Sequence, residues 1–281
     1  MSTEEMDLII ENGTFLTMDG EGRVIEDGFL CVRKDRICRV ESGRKRDANL
    51  QSRKTLDAEG GLVLPGLING HTHAAMSLFR GLADDLPLME WLTDYIFPVE
   101  SRMDAEFVYA GTRLACAEMI MSGSTTFCDM YLFEDQVAMA GKEAGMRCLV
   151  GEVTYDFPSP NYGPVENALP FSESLIRAWE KDPLVHIAVE PHSLFTCSPD
   201  LLKSSGELAR RHGVPLIIHV AETEAEVEDV KKKYGRRPVD HLASLGLLDS
   251  NLIADHCVHL TPLEIDALAE NGVRVVHTPE S

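Results

Sequence analysis

Gly61–Met76, GLVLPGLINGHTHAAM, decides the fold and holds the first candidate ligands. Leu62, Val63, Leu64, Leu67 and Ile68 form a short apolar run broken by Pro65-Gly66, which predicts a buried strand bounded by a turn. Side chains two apart on a strand point the same way, so an extended His71-Thr72-His73 aims two imidazoles at one point past the strand end. Neutral imidazole is the commonest protein ligand for a divalent first-row metal.

The same strand rhythm continues through Thr125–Asp129, Arg147–Val153, Val185–Val189, Pro215–Val220, Asn251–Asp255 and Val273–His277, with helical patterns between. Asp104 is placed to cap a helix that Gly123 stops, and Glu134–Ala144 ends at Gly145. Ser198-Pro199 opens a helix that closes at Gly213, and Thr261–Glu264 reads as a capping box ahead of Gly272. Alternating strands and helices imply a parallel sheet with right-handed crossovers. Seven such strands predict an α/β fold of the (β/α)₈ TIM-barrel type, with seven of its eight strands present, over residues 62–281. No G-x-G-x-x-G follows any of them, so a dinucleotide fold has no support.

Residues 1–61 differ. Short β-type runs are punctuated by Asn12-Gly13, Asp19-Gly20 and Asp27-Gly28, predicting a small antiparallel, β-sandwich-like unit with Glu41–Lys54 as an exposed connection.

The net charge of −20 argues against nucleic acid and anionic membrane surfaces as partners. Met1–Asp7 is acidic with no long apolar run after it, so no signal peptide or membrane span is read, and a cytoplasmic location is expected. Seven scattered cysteines without C-x-x-C fit reduced, mostly buried thiols. Their spacing also excludes the H-x-E/P-C-x-x-C nucleobase deaminases.

Catalytic groups of such barrels sit at the C-terminal ends of strands. Six of the ten histidines fall there: His71, His73, His192, His219, His256 and His277. His186, His212 and His241 read as structural or surface residues. His71, His73 and His219 could give three nitrogens to one zinc-type ion and leave positions for water. Glu222, where the fifth strand turns into its loop, is placed to move protons to and from that water.

Leu64–Glu100 (LPGLINGHTHAAMSLFRGLADDLPLMEWLTDYIFPVE) strongly resembles the amidohydrolase superfamily, and within it the 5-methylthioadenosine/S-adenosylhomocysteine deaminase family. PHSLFTCSPDLL (191–202), IHVAET (218–223), DHCVHLT (255–261) and VVHTPES (275–281) follow in family order. The resemblance implies metal-dependent hydrolytic deamination of an adenine ring to hypoxanthine with release of ammonia. The substrate implied is a nucleoside: 5-methylthioadenosine, S-adenosylhomocysteine or a related adenosine.

It further implies that His71, His73 and His219 hold one divalent ion, Zn²⁺ with Fe²⁺ or Mn²⁺ as alternatives. Glu222 would shuttle protons and contact substrate, His256 would orient water, Glu100 would bind the ribose hydroxyls and His192 would touch substrate. Asp84, Asp85, Trp91 and Phe97 are expected in a loop over the pocket. Val185–Cys197 contains no lysine to bridge two metals, which favours one. Gly151–Ala168 contains none of the arginines that the resemblance leads one to expect for gripping a carboxylate tail, so a smaller, uncharged thioether tail or another nucleoside suits this chain better.

The resemblance also places a strand-eight aspartate ligand and the strands completing a composite β-sandwich beyond residue 281, and implies a homo-oligomer. Two readings compete with the deaminase. One is a related chlorohydrolase or guanine-type deaminase; the other is a non-catalytic barrel fragment.

Overall fold

A computed structural model of the chain describes residues 4–43 and 50–278, which fall into two compact units divided between Gly66 and Leu67. The first unit is one five-stranded sheet: β1 (Glu4–Leu16), β2 (Val24–Arg33), β3 (Arg36–Ser42), β4 (Leu50–Asp57) and β5 (Leu62–Val63). β2 runs antiparallel to β1 and β3 to β2, as the turn residues between them require.

Two expectations are corrected here. β4 and β5 both run parallel to β1, so the sheet is mixed rather than antiparallel throughout. β4 also takes in residues 50–54, the end of the stretch read as an exposed connection, whose residues 44–49 lie outside the described ones. Its sequence, LQSRKTLD, has no apolar alternation, and backbone pairing with Glu4–Glu11 makes it a strand. Met6, Ile9, Phe29, Cys31 and Leu50 form the buried cluster of this unit.

The boundary expected between residues 61 and 62 falls after Gly66. The apolar run 62–68 is cut at Pro65-Gly66: Leu62 and Val63 ladder onto Thr14 and Phe15, and a new strand starts at Leu67. Proline lacks the N–H a ladder needs, so neither sheet continues through it.

In the second unit the strands are β6 (Leu67–Thr72), β7 (Ser124–Tyr131), β8 (Arg147–Thr154), β9 (Val185–Ile187), β10 (Glu190–Pro191), β11 (Leu216–Val220), β12 (Leu252–His256) and β13 (Arg274–His277). β6, β7 and β8 pair in parallel, β9 and β10 both pair with β8, and β11, β12 and β13 continue in parallel. Bridges Val189–Leu216 and Ser193–His219 join the fourth strand position, β9 with β10, to the fifth. This is the ordered strand series of a (β/α)₈-type barrel, with seven strand positions among the described residues.

Between the strands lie α1 (Leu88–Glu90), α2 (Phe97–Glu100), α3 (Ala105–Met121), α4 (Glu134–Glu143), α5 (Ala168–Trp179), α6 (Pro199–His212), α7 (Glu224–Tyr234), α8 (Pro238–Ser244) and α9 (Pro262–Glu270). Their starts obey the capping chemistry in the sequence. Asp104 accepts from the Phe107 N–H, Ser198 from Leu201, and Thr261 with Glu264 forms a reciprocal box. Gly213 ends α6 in the left-handed conformation that glycine adopts without strain.

α3 lies so close to the 3₁₀ turn Ala74–Phe79 after the H-T-H that a Cβ on Gly111 would sit 2.6 Å from the Ala75 carbonyl oxygen. Glycine here lets the helix brace the segment leaving the histidine pair. Val137, Val150, Val189, Ile217 and Leu252 are fully buried between sheet and helices. Among the described residues no helix is long and apolar enough to cross a membrane.

Candidate active site

β6 carries His71 one residue before its end with His73 just past it, β11 carries His219 one residue before its end, and β12 ends in His256, so the histidines gather at the C-terminal ends of these strands. Ligand atoms of His71, His73 and His219 all lie within 4.8 Å of one another. The ring centroid of His71 is 4.9 Å from that of His73, 5.0 Å from His219 and 4.8 Å from His256.

Each of the three candidate ligands has its Nδ1 tied down. His71 Nδ1 is 2.8 Å from an Asp255 carboxylate oxygen, His73 Nδ1 is 2.5 Å from the Met130 carbonyl, and His219 Nδ1 is 2.7 Å from the His192 carbonyl. An Nδ1–H donated to oxygen fixes the tautomer that leaves Nε2 with a free lone pair. His71 Nε2 is buried with no hydrogen-bond partner. Burial lowers the His73 pKa to about 3 and that of His219 well below its ordinary value, so both rings are neutral at pH 7. Three converging ring nitrogens, one of them orphaned in the protein, fit a divalent cation.

Glu222 shares one cavity of about 590 Å³ with His71, His73, His219 and His256. Its carboxylate stands 3.9 Å from His256 Nε2, and burial raises its pKa above the usual carboxyl range. That shift moves a carboxyl toward the pH at which it both takes and gives protons effectively. His256 Nδ1 lies 2.6 Å from the Thr278 hydroxyl.

The backbone turns sharply at these rims. Ala221, His256 and Cys257 all have positive φ (52°, 69° and 53°), a region that costs a non-glycine residue about 1 kcal/mol or more. Glu226 holds the first of these corners, accepting the Ala221 N–H at 3.1 Å and the Glu222 N–H at 2.8 Å.

Glu226 and Asp255 were not given roles in the sequence reading. The signal for Glu226 is the acidic residue four after Glu222, which reads equally well as a favourable helix start. Asp255 precedes His256 on a strand, and only the fold reveals that it faces His71.

The other residues are distributed as follows. His192 borders the main cavity. Glu100 lies in a smaller adjoining cavity of about 60 Å³ that shares His73, Trp91, Leu92 and His192 with it, and accepts the Tyr131 hydroxyl at 2.7 Å. Asp84, Asp85 and Trp91 line the main cavity, whereas Phe97 lines the smaller one. His277 donates its Nδ1–H to the His256 carbonyl at 3.0 Å. Away from the site, His212 meets Glu173 at 2.9 Å and His241 stacks on Tyr234 with ring centroids 4.0 Å apart.

Below the histidines the interior is acidic. Glu190 is fully buried with both carboxylate oxygens unpartnered, seated over Gly151, where a Cβ would come within 2.5 Å of its side chain. Burial first, then the charges of Asp255, Asp129 and Glu152, raises its pKa far above the ordinary range. Its unfolded value is about 4.3. A raised folded pKa means the stabilising proton is fully held below that value and lost as pH climbs toward the folded one. Glu190→Gln, which cannot ionise, is therefore expected to gain thermal stability relative to the parent as pH rises from 5 to 8. A midpoint difference that stays constant across that range contradicts the assignment.

Comparison with known proteins follows the same lines. Residues 62–281 match the amidohydrolase family. The chain is 57% identical, over its full length, to a 5-methylthioadenosine/S-adenosylhomocysteine deaminase of Syntrophobacter fumaroxidans, covering 64% of that protein. It is 49% identical over 99% of its length to a deaminase of the same name (number 1) from Syntrophus aciditrophicus, covering 63% of it. A crystal structure of a zinc-bound adenosine deaminase from Xanthomonas campestris superposes with a TM-score of 0.95 at 38% identity, over 99% of this chain and 63% of that one. The chain thus spans under two thirds of the length of these relatives.

Proposed function

This chain belongs to the amidohydrolase family, and from that premise we propose that it carries the reaction centre of a zinc-dependent hydrolytic deaminase acting on adenosine-type nucleosides such as 5-methylthioadenosine. The carrying observation is the convergence of His71, His73 and His219, ligand atoms within 4.8 Å of one another, on a cavity that also holds Glu222 and His256. The names and the bound zinc of the relatives support this choice among amidohydrolase reactions.

His71, His73 and His219 would hold the ion through Nε2. A bound divalent ion supplies Lewis acidity, lowering the pKa of water toward ~7. Glu222 takes one proton from the attacking water as the C6–O bond forms and gives it to the ring nitrogen. It then takes the second proton from the new C6 hydroxyl and gives it to the departing amine, so that ammonia leaves as the C6–N bond breaks and the C6 carbonyl forms. Its raised pKa suits both directions. His256, 3.9 Å from Glu222, orients the attacking oxygen. Glu100 accepts the ribose hydroxyls, a role for a carboxylate with lone pairs beyond the one committed to Tyr131. His192 borders the bound nucleoside. Water and the nucleoside are the only reactants, and hypoxanthine nucleoside and ammonia the products.

The test is spectroscopic. The zinc-supplied chain is mixed with 5-methylthioadenosine and the adenine-to-hypoxanthine absorbance change is followed. Zinc-dependent turnover is expected; a zinc-loaded chain that neither binds nor converts adenosine-type nucleosides contradicts the reading.

A further inference from the structure

The β6–β7 ladder pairs Leu67, Ile68 and Asn69 with Ser124, Thr126 and Phe127, then slips between Asn69 and Thr72. The ladder resumes at Thr72, opposite Asp129, which leaves His71 in the irregular stretch and His73 just past the last pair. Three successive residues of β7 hold this segment through side-chain hydrogen bonds as well. The Cys128 carbonyl accepts the Thr72 hydroxyl at 2.8 Å, and the Met130 carbonyl accepts His73 Nδ1–H at 2.5 Å. Between them the Asp129 side chain, fully buried, accepts both the Thr72 hydroxyl and the Ala74 N–H, the latter at 2.5 Å, on one oxygen.

Asp129 thus grips the chain on either side of His73. We propose that Asp129 is a positioning residue that sets the angle and spacing of the His71–His73 pair through Thr72 and Ala74. The second Asp129 oxygen is buried with no hydrogen-bond partner among the described residues, and the fully buried Glu134 carboxyl neighbours the Asp129 carboxyl. Asp129 lines neither the main cavity nor the smaller one beside it, and acts through the turn it holds. An acceptor oxygen is what the position requires, because both donors point at the same atom.

This inference rests on the metal-site reading above. Its test measures Zn²⁺ affinity by competition with a chromophoric chelator, and the visible absorption of the Co²⁺-loaded chain, whose band positions report ligand geometry. Asp129→Ala, which removes the acceptor, is expected to weaken Zn²⁺ binding by roughly 10–100-fold, the range for loss of an outer-shell partner. Thr72→Val is expected to weaken it in the same direction by less. Both should shift the Co²⁺ bands. Asp129→Asn and Thr72→Ser keep one acceptor oxygen and one hydroxyl and should restore affinity and spectrum toward the parent.

A folded Asp129→Ala chain with parental affinity and Co²⁺ bands overturns the inference; should that variant not fold, the same result with Thr72→Val overturns it. Zinc binding by the parent chain that survives His219→Ala would overturn the reading of the site itself, and this inference with it.

Discussion

Glu222→Gln is expected to lower turnover of 5-methylthioadenosine by about 10²–10⁴-fold, the usual contribution of a positioned general acid–base group, while leaving zinc content unchanged. The amide keeps the size and shape of the side chain in the cavity it shares with the three histidines. It cannot take a proton from water as a carboxylate does. His256 is held neutral by burial, its pKa lowered to about 3, so its protonated form is scarce at neutral pH. Single-turnover kinetics beside a metal assay separate the outcomes. Zinc lost together with activity would make Glu222 a structural support, and activity retained within tenfold would remove it from the proton path.

His219→Ala is expected to weaken zinc binding by more than about 100-fold, beyond the ~10–100-fold that follows loss of an outer-shell partner. The parent chain should gain stability with added zinc as RT ln(1 + [L]/Kd), about 2.7 kcal/mol at a hundredfold excess over Kd, and the variant should gain almost none. His219 is nearly fully buried and its Nδ1 is already committed to the His192 carbonyl, so Nε2 is its one spare coordination atom. Thermal midpoints titrated with zinc check this. Equal zinc-induced shifts in parent and variant would place the ion elsewhere.

Much of this was legible in the sequence because the chemistry lies where two periodicities meet. A strand repeats every two residues, so H-T-H aims both rings one way, and apolar runs ending in His219 and His256 mark the same rim. Asp104, Ser198 and Thr261 announce helix starts by a side-chain oxygen that needs only local backbone N–H groups.

What escaped depends on distant partners. Leu50–Asp57 is a strand only because β1 supplies hydrogen bonds from more than forty positions away, and its own residues carry no alternation. Asp129 sits in a strand as STTFCDMY, where nothing local says that its carboxylate reaches Thr72 and Ala74. Glu226 looks like an ordinary helix-start acid until the left-handed corner at Ala221 brings two N–H groups to it.

Those rim corners also bear on how such a barrel changes over generations. Ala221, His256 and Cys257 occupy backbone angles that glycine or asparagine tolerate and that valine, isoleucine or threonine pay heavily to enter. Point mutations that introduce a branched side chain there are filtered out before any question of reactivity arises. The neighbouring segments at Ala83–Leu88 carry no such restriction except at Asp85 (φ 58°), and they border the same cavity. The backbone thus tolerates a wider range of side chains in that wall of the cavity than at the corner beside Glu222.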